Sequence, residues 1–541
     1  MRKSIKKGKT LLKPCKTTVF DLLEYLVLAG VFVILCYFLA EYVVYNLDSD
    51  KSSELILGKM LAEEGGICSP NWYYSTELSV LNTQLIWAPL FALGLSWHAV
   101  RVTGSIIMYV LLVLGLWFYC RQAGMKKSFP YIAAVIFLPL SRKYFDILLL
   151  GAYYIPYVLI SFVALGLFFA QAKTDQVKKA VLCFAANMVL AVIACMGGLR
   201  QLLILYIPLV LAAALNLSFH EKSKTAVTML WSSFALLLGG GAGYLINSGY
   251  LAQKYVFTSY ESVTYKSFSL ASLEKAINNL FNVFGYEEGT TLMSVGTLLN
   301  ASAALLVLLS VCLAVYILKR RKRYPIITVF TSSFFLLCLI AHLLLFSFTN
   351  MKNDVNYVVP IAVYAIVVIF SAFQGDGAFG RYGRAISALL LAVVLTSSAL
   401  RYDDMRKQDH TVNLRAVEEK LLEQGYTQGY ASFWNGNILT ELSEGKIEVW
   451  HWLSRNNPEP DAAVIDPLYR WLQPVAHLNA PPEGKLFLCF SEEEYEKYSM
   501  AQNLPAGNIL FRTQYYDRLG TPNYIVFGFD SYEELAKQLP N

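Results

Sequence analysis

The sequence predicts an α-helical polytopic membrane protein. It should have about eleven transmembrane helices, interfacial helices in the first outer loop, and a C-terminal extracytoplasmic α/β domain. Three observations lead there. The 541 residues are 56% hydrophobic and only 16% charged, with a mean hydropathy of +0.45, which is too apolar for an ordinary soluble protein. Apolar runs near the length of a bilayer crossing recur along the first 400 residues, with basic clusters between alternate runs. After Arg401 the chain turns polar and alternates helical with strand-like stretches.

The start, Met1 to Lys16, carries Arg2, Lys3, Lys6, Lys7, Lys9, Lys13 and Lys16, which places it in the cytoplasm. The first apolar run, about Leu22 to Tyr45, has no small-residue cleavage site and reads as a retained span. Asp48-Ser49-Asp50-Lys51 therefore falls outside, at the head of a short helix. In that helix Ile56 and Met60 share a face, as do Leu57 and Leu61, until Gly65-Gly66 stops it. Such a helix is expected to lie flat in the interface. Ser69 to Glu77 mixes aromatic with polar residues, as an interfacial belt does. Leu81 to Leu95 is apolar but short for a span, so it reads as a second surface-lying or re-entrant helix. Arg101 opens the next span, and further spans centre near Ala134, Val163, Leu190, Leu209, Leu237, Val307, Leu336, Val363 and Leu391.

Every loop this count puts inside is basic, the Lys319 to Arg323 cluster most of all. The odd count leaves the C-terminus outside. Residues 1–400 thus form a transmembrane domain whose first outer loop is about 46–98, and 401–541 form a soluble α/β domain. In that domain Leu414 to Gln424, Glu492 to Met500 and Tyr532 to Leu539 are helical, and Lys485 to Phe490 and Tyr524 to Phe529 are strand-like. The net charge of +6 sits in short clusters between spans, which does not suggest nucleic acid. The nine cysteines lie mostly in apolar runs with no metal-ligand spacing, and Cys68 with Cys489 is the one conceivable bridge.

Charged groups at membrane depth are functional candidates. On the outer side the acids are Asp48, Asp50, Glu54, Glu77 and Asp146, and the bases include Arg101, Arg142, Lys143 and Arg200. Acids that accept a proton beside cations that hold a phosphate suit transfer from a phosphorylated donor. Each has a plainer reading. Asp50 would N-cap its helix, Arg200 would snorkel, and Arg142, Lys143 and Asp146 would form a local ion pair. Trp72, Tyr73, Tyr74, Asn82, Gln84 and Tyr153 are candidate acceptor or sugar contacts, with interfacial packing as the alternative for the aromatics. Ala431 to Asn437, which contains Phe433 and Trp434, matches no motif.

The basic start, the single span, the outer Asp motif, the helix ending in Gly-Gly and the apolar segment after it together resemble the GT-C superfamily of membrane glycosyltransferases. The nearest pattern is the protein mannosyltransferase and aminoarabinose transferase branch. Asp48 to Gly66 resembles that branch's acidic first-loop motif, and Ala99-Val100-Arg101-Val102 its Ala-x-Arg-x opening. Asn356-Tyr357-Val358-Val359-Pro360 is similar to its late Arg-Tyr-x-x-Pro but lacks the Arg. Two departures stand out: Asp-Ser-Asp replaces Asp-Glu, and Asn82-Thr83-Gln84 stands where His-Pro-Pro is usual. The resemblance covers roughly the first 125 residues by motif and the remainder by topology.

What the resemblance implies is transfer of a sugar from a polyprenyl-phosphate donor to a glycan, lipid or protein acceptor on the outer face of the cell membrane, in cell-envelope glycan synthesis or modification. Asp50 or Asp48 would deprotonate the acceptor, with Glu54 and Glu77 as further candidates. Arg200, with Arg142 or Lys143 and Arg101, would hold the donor phosphate. Direct displacement would invert the anomeric centre. A divalent ion (Mg or Mn) on Asp48 and Asp50 stays open, since some branches use one. The rival functions are a lipid-linked glycan flippase or other transporter, and a polysaccharide polymerase.

Overall fold

The computed structural model describes residues 19–539 except 79, 221–222, 259–262, 292, 375–378, 456–461, 465–467 and 515–520. The basic start at Met1 to Lys16 lies outside the described residues.

Among the described residues, ten helices are long and apolar enough to cross a membrane. They are built on α1 (Val19–Tyr42), α4 (Trp97–Ala123), α7 (Ile155–Lys173), α8 (Val177–Cys195), α9 (Ile207–Phe219, preceded by a π turn from Leu202), α10 (Lys224–Leu245), α12 (Val295–Lys319), α13 (Ile326–Phe348), α14 (Val359–Gln374) and α15 (Gly383–Met405). The eleventh crossing, expected near Ala134, is broken. α5 (Phe129–Ile136) is buried along its whole length, and α6 (Arg142–Tyr144) follows after a non-helical stretch. A straight helix from Phe129 to Arg142 would cover about 20 Å, against about 30 Å of hydrocarbon. The segment nevertheless joins the two ends of the bundle. At one end Tyr131 donates to Glu24, which also pairs with Arg384; at the other, Arg142 donates to Asn46. Surrounded by protein on all sides, it needs no continuous helix to satisfy its backbone.

The loop between α1 and α4, expected to be the first outer loop, holds α2 (Ser49–Glu64) and α3 (Gln84–Ala92). Gly65 and Gly66, at φ 81° and 92°, end α2 as the sequence predicts, and the Gly65 N–H closes on the Leu61 carbonyl at 2.9 Å. Trp87 on α3 is fully buried and wedged between α2 and α4. A Cβ at Gly58 would stand 2.5 Å from Trp87 Cβ, and one at Gly104 1.9 Å from its ring, so both positions require glycine.

α2 is not a free surface helix. Lys51, Ser52, Ser53, Leu55, Leu57, Gly58 and Leu61 are all buried in protein. The first turns are polar, and Asp48, Ser49 and Lys51 bond to protein. α17 (Phe433–Leu442) of the C-terminal region packs against it.

That region carries a five-stranded sheet in the order β3 (Glu448–His451), β2 (Gln428–Ala431), β7 (Leu486–Ser491), β9 (Tyr524–Phe529), β8 (Ile509–Arg512). β2 runs parallel to β3 and β7, whereas β9 is antiparallel to β7 and β8. A separate pair, β4 (Leu453–Arg455) with β5 (Ala462–Val464), lies outside it. Cys489 is buried in β7, and both it and Cys68 are free thiols, so the conceivable bridge is absent. α15 continues through Arg401 to Met405. α11 (Leu270–Val283) lies in the long outer loop before α12, while α16 (Val412–Glu423) and α17 (Phe433–Leu442) belong to the C-terminal region.

The region is stitched to the first outer loop at several points. β1 (Trp72–Tyr73) pairs antiparallel with β6 (Gln473–Pro474). The Ser49 hydroxyl donates to the Phe433 carbonyl, and the Val475 N–H to the Asn71 carbonyl at 2.7 Å. The strongest tie is between Arg101 of α4, 1% exposed, and Glu441 of α17, 6% exposed, with two hydrogen bonds of 2.5 and 2.6 Å. The same guanidinium donates to the Lys51 carbonyl at 3.0 Å.

Removing one partner strands a buried charge, which typically costs about 3–5 kcal/mol, whereas an apolar pair of similar volume is often neutral or better. Glu441→Ala is therefore expected to lower the thermal midpoint of the detergent-solubilised protein strongly. The double variant Arg101→Met/Glu441→Leu should recover most of that loss. A single variant as stable as the parent would count against the pair as the lock.

Candidate active site at the head of α2

The backbone at the start of α2 sorts the two aspartates into different roles. Asp48 is the N-cap: its carboxylate accepts from the Lys51 N–H at 2.9 Å and pairs with Lys51 Nζ at 3.0 Å. Burial pushes the Asp48 carboxyl up, but the Lys51 charge and hydrogen bonds, helped by Arg101, outweigh it and hold the group below its ordinary value. Asp48 is thus corrected from candidate base to cap and ion-pair partner. The plainer reading of Asp50 as the cap is corrected with it.

Asp50 stands one residue inside the helix, and among the described residues its carboxylate has no hydrogen-bond or ion-pair partner. Burial and the neighbouring Asp48 charge push it up to about 6, Lys51 and Lys143 pull it back in part, and Asp354 pushes further. Glu54 follows one turn later on the same face. It accepts from the Thr83 hydroxyl, and burial raises it to about 7. The site therefore presents two carboxyls that titrate near neutrality, one of them uncommitted.

Lys51 was not among the residues singled out by sequence, yet it anchors the loop. It is 2% exposed and bonds the Asn46 carbonyl at 2.7 Å, Asp48 at 3.0 Å and Asp146 at 3.3 Å. Burial pulls Lys51 down, but Asp146 and Asp48 more than offset it. Arg142 binds the other oxygen of Asp146 at 3.0 Å and also donates to Gln408 and Asn46. Its guanidinium is committed to protein, so Arg142 is corrected from phosphate ligand to structural tie. Arg101, sealed against Glu441, is corrected in the same way. Lys143 is exposed, and its charge reaches Asp50. The Tyr153 hydroxyl feels Asp48, Asp50 and Asp146, which places it over the same cluster.

Arg200 lies in a second cluster. It pairs with Glu77 at 2.9 Å and packs against the rings of Tyr154, Tyr157 and Tyr357 at 4.9, 4.7 and 5.4 Å. Tyr157 donates to Glu77 as well. Glu77 is thereby the buried counter-ion of Arg200, not a candidate base. Asp354 acts electrostatically on Asp50 and also on Tyr154 and Tyr357, so it lies between the two clusters. Tyr357 falls in the Asn356-to-Pro360 segment noted in the sequence; nothing in the sequence marked Asp354.

Most of the aromatic belt is internal. Trp72 and Tyr74 are buried, and the Tyr74 hydroxyl accepts from the Ser69 N–H at 2.8 Å. Gln84 is buried against the Ile67 carbonyl, Asn82 is buried, and Tyr73 is half-buried in the β1–β6 pairing. These five are corrected from substrate contacts to packing: the C-terminal region covers Trp72 and Tyr73, Tyr74 meets Tyr255, Gln84 bonds Ile67, and Asn82 is enclosed beside Glu77 and Tyr157.

Among the described residues no three His, Cys, Asp or Glu side chains converge as a metal site, and Asp48 is spent on Lys51.

The fold has relatives of known structure. ArnT from Cupriavidus metallidurans in the apo state superposes with a TM-score of 0.53 at 10% identity, over 97% of this chain and 100% of that one. ArnT bound to undecaprenyl phosphate gives 0.50 at 11% identity, over 95% and 98%. The Archaeoglobus fulgidus oligosaccharyltransferase, tethered to an acceptor peptide containing the NVT sequon, gives 0.45 at 12% identity. It is matched over 79% of this chain but only 64% of its own length, under two thirds. No family model and no curated protein matches the sequence. The two ArnT superpositions show a likeness of fold.

A carboxyl whose folded-state value is raised from about 4 to about 6 binds more protons in the folded than in the unfolded chain between those values. Stability contributed by this group therefore falls as pH rises from about 4 to 6 and stays reduced above. Asp50→Asn is expected to raise the thermal midpoint at about pH 8 and to leave it unchanged near pH 4. An Asn variant less stable than the parent at about pH 8 would mark Asp50 as structural.

Proposed function

We propose that this protein is a membrane glycosyltransferase. It moves a sugar from a polyprenyl-phosphate donor to an acceptor on the outer face of the membrane, in cell-envelope glycan synthesis or modification. The observation that carries the reading is Asp50: a half-buried, unpartnered carboxyl raised to about 6, in a GT-C fold, at the head of a helix locked against the membrane domain. The ligand of the ArnT complex, undecaprenyl phosphate, supports the donor class.

In this reading the acceptor hydroxyl approaches Asp50, which takes its proton as the oxygen attacks the anomeric carbon. The bond from that carbon to the phosphate oxygen breaks, and the electron pair leaves with the lipid phosphate. A phosphodiester becomes a monoester and gains negative charge, so a cation must face it. Lys143 is the exposed cation whose charge reaches Asp50, and Arg200 is the next, already neutralised in part by Glu77. Attack opposite the leaving phosphate inverts the anomeric centre. Glu54, one turn below, is placed to share the proton.

Asp50→Asn is nearly isosteric and leaves the Asp48 cap in place. It should lower transfer of radiolabel from polyprenyl-phosphate sugars in membranes by about 10²–10⁴-fold. The parent's rate should rise with pH through an apparent value of about 6, because the base works deprotonated. Transfer by the Asn variant at the parent's rate would refute Asp50 as the base, and label that only changes leaflet would favour a flippase.

The orientation follows from the charges. Lys173 at the end of α7 donates to the Gln122 carbonyl at the end of α4, so two basic ends meet, and the Asp50 cluster lies at the opposite ends of those helices. Lys407 is exposed just beyond α15. A cysteine there, in a background lacking Cys68, should react with an impermeant thiol reagent in intact cells. Labelling only after lysis would overturn an outer-face site.

A further inference from the structure

The Ser432-to-Asn437 stretch has no part in the reading above, yet the structure sets it beside Asp50. Trp434 opens α17 with a side chain 63% exposed, and no other large apolar side chain among the described residues after Met405 is comparably open. Its ring meets Phe433 at 5.1 Å, Phe433 meets Tyr469 at 6.0 Å, and Tyr469 stacks with Trp471 at 6.3 Å and 25°. This aromatic run is tied to the catalytic loop: the Phe433 carbonyl accepts from Ser49, the residue before Asp50, and the Asp50 charge reaches the Tyr469 hydroxyl.

The main chain beneath these rings is satisfied internally. The Tyr469 N–H donates to the His451 carbonyl at 3.0 Å, and the Trp471 N–H to the Tyr469 carbonyl at 2.9 Å. An extended peptide docks largely through main-chain hydrogen bonds, which these groups no longer offer. A lipid acceptor needs a continuous exposed apolar track, whereas Trp434 is the one largely exposed ring of this run, with Tyr469 and Trp471 half-buried. What remains on offer is ring faces with polar edges, the Tyr469 hydroxyl and the indole N–H groups. A pyranose matches that offer, with an apolar C–H face and a rim of hydroxyls.

We infer that Trp434, Tyr469 and Trp471 form a stacking platform for a sugar ring of the acceptor, so that the acceptor is a glycan and one of its hydroxyls is presented to Asp50. The inference rests on the transferase reading and adds the class of its second substrate. Trp434 recognises rather than catalyses, because it touches no reacting atom.

The test is binding of the full-length protein, in lipid nanodiscs and without donor, to an array of immobilised pyranose oligosaccharides. The parent should bind glycans on the array. Trp434→Ala should lose about tenfold or more, and Trp434→Phe should keep most of the binding. The exposed position predicts an unchanged thermal midpoint for Trp434→Ala, and Trp434→Gln serves if alanine lowers it. No array glycan bound by the parent, or parental affinity in a folded Trp434→Ala or Trp434→Gln, would overturn the inference. Because the array reads no transfer, failure of the transferase reading would show separately, as transfer retained by Asp50→Asn.

Discussion

A guanidinium and a carboxylate sealed from water hold the α2 end of this protein together. Arg101 comes from a membrane helix and Glu441 from the C-terminal region, and the arginine also grips the Lys51 carbonyl one residue after Asp50. Two buried charges satisfy each other only in good geometry. The pair therefore sets the spacing between α4, α2 and α17 at once. The β1–β6 pairing and the Ser49–Phe433 bond reinforce that arrangement around its rim.

This lock explains the electrostatics of the loop. Sandwiched between α3 and α17, α2 loses most of its contact with water, and its charges must be answered by protein. Lys51 answers Asp48 and Asp146, and Arg142 answers the second oxygen of Asp146. Asp50 is left over, with its charge opposed by burial and by Asp48. The fold thus keeps one carboxyl out of the network, as a general base requires. It also explains why Asp48 and Asp50, two residues apart and alike in chemistry, part company: one faces back to cap the helix and the other forward.

Much of the architecture was legible in the chain. Spans were readable because a bilayer demands long apolar runs. Gly65-Gly66 ended α2 because only glycine enters that backbone region without strain. In the C-terminal region the helices near Leu414, Glu492 and Tyr532 and the strands near Lys485 and Tyr524 came close to the observed elements. The broken crossing at Phe129 to Leu150 was not legible as broken, because its composition is as apolar as a span's. Its interruption depends on being enclosed by neighbours, which no local pattern records.

For the site, the sequence by itself determined which residue types stand at the outer end of the bundle: aspartates at the head of α2, cations near 142 and 200, tyrosines around 154 and 357. It could not assign them partners, because an ion pair between positions 101 and 441, or 51 and 146, is a fact of folding over long separations. Tertiary structure decided that Arg101, Arg142 and Glu77 are spent on protein, that Trp72 and Tyr74 are core, and that Asp50, among the described acids at the head of α2, stays uncommitted. The physical reason is desolvation: burial forces each charge to find a partner, and where the chain supplies none within reach, the carboxyl moves toward neutrality instead.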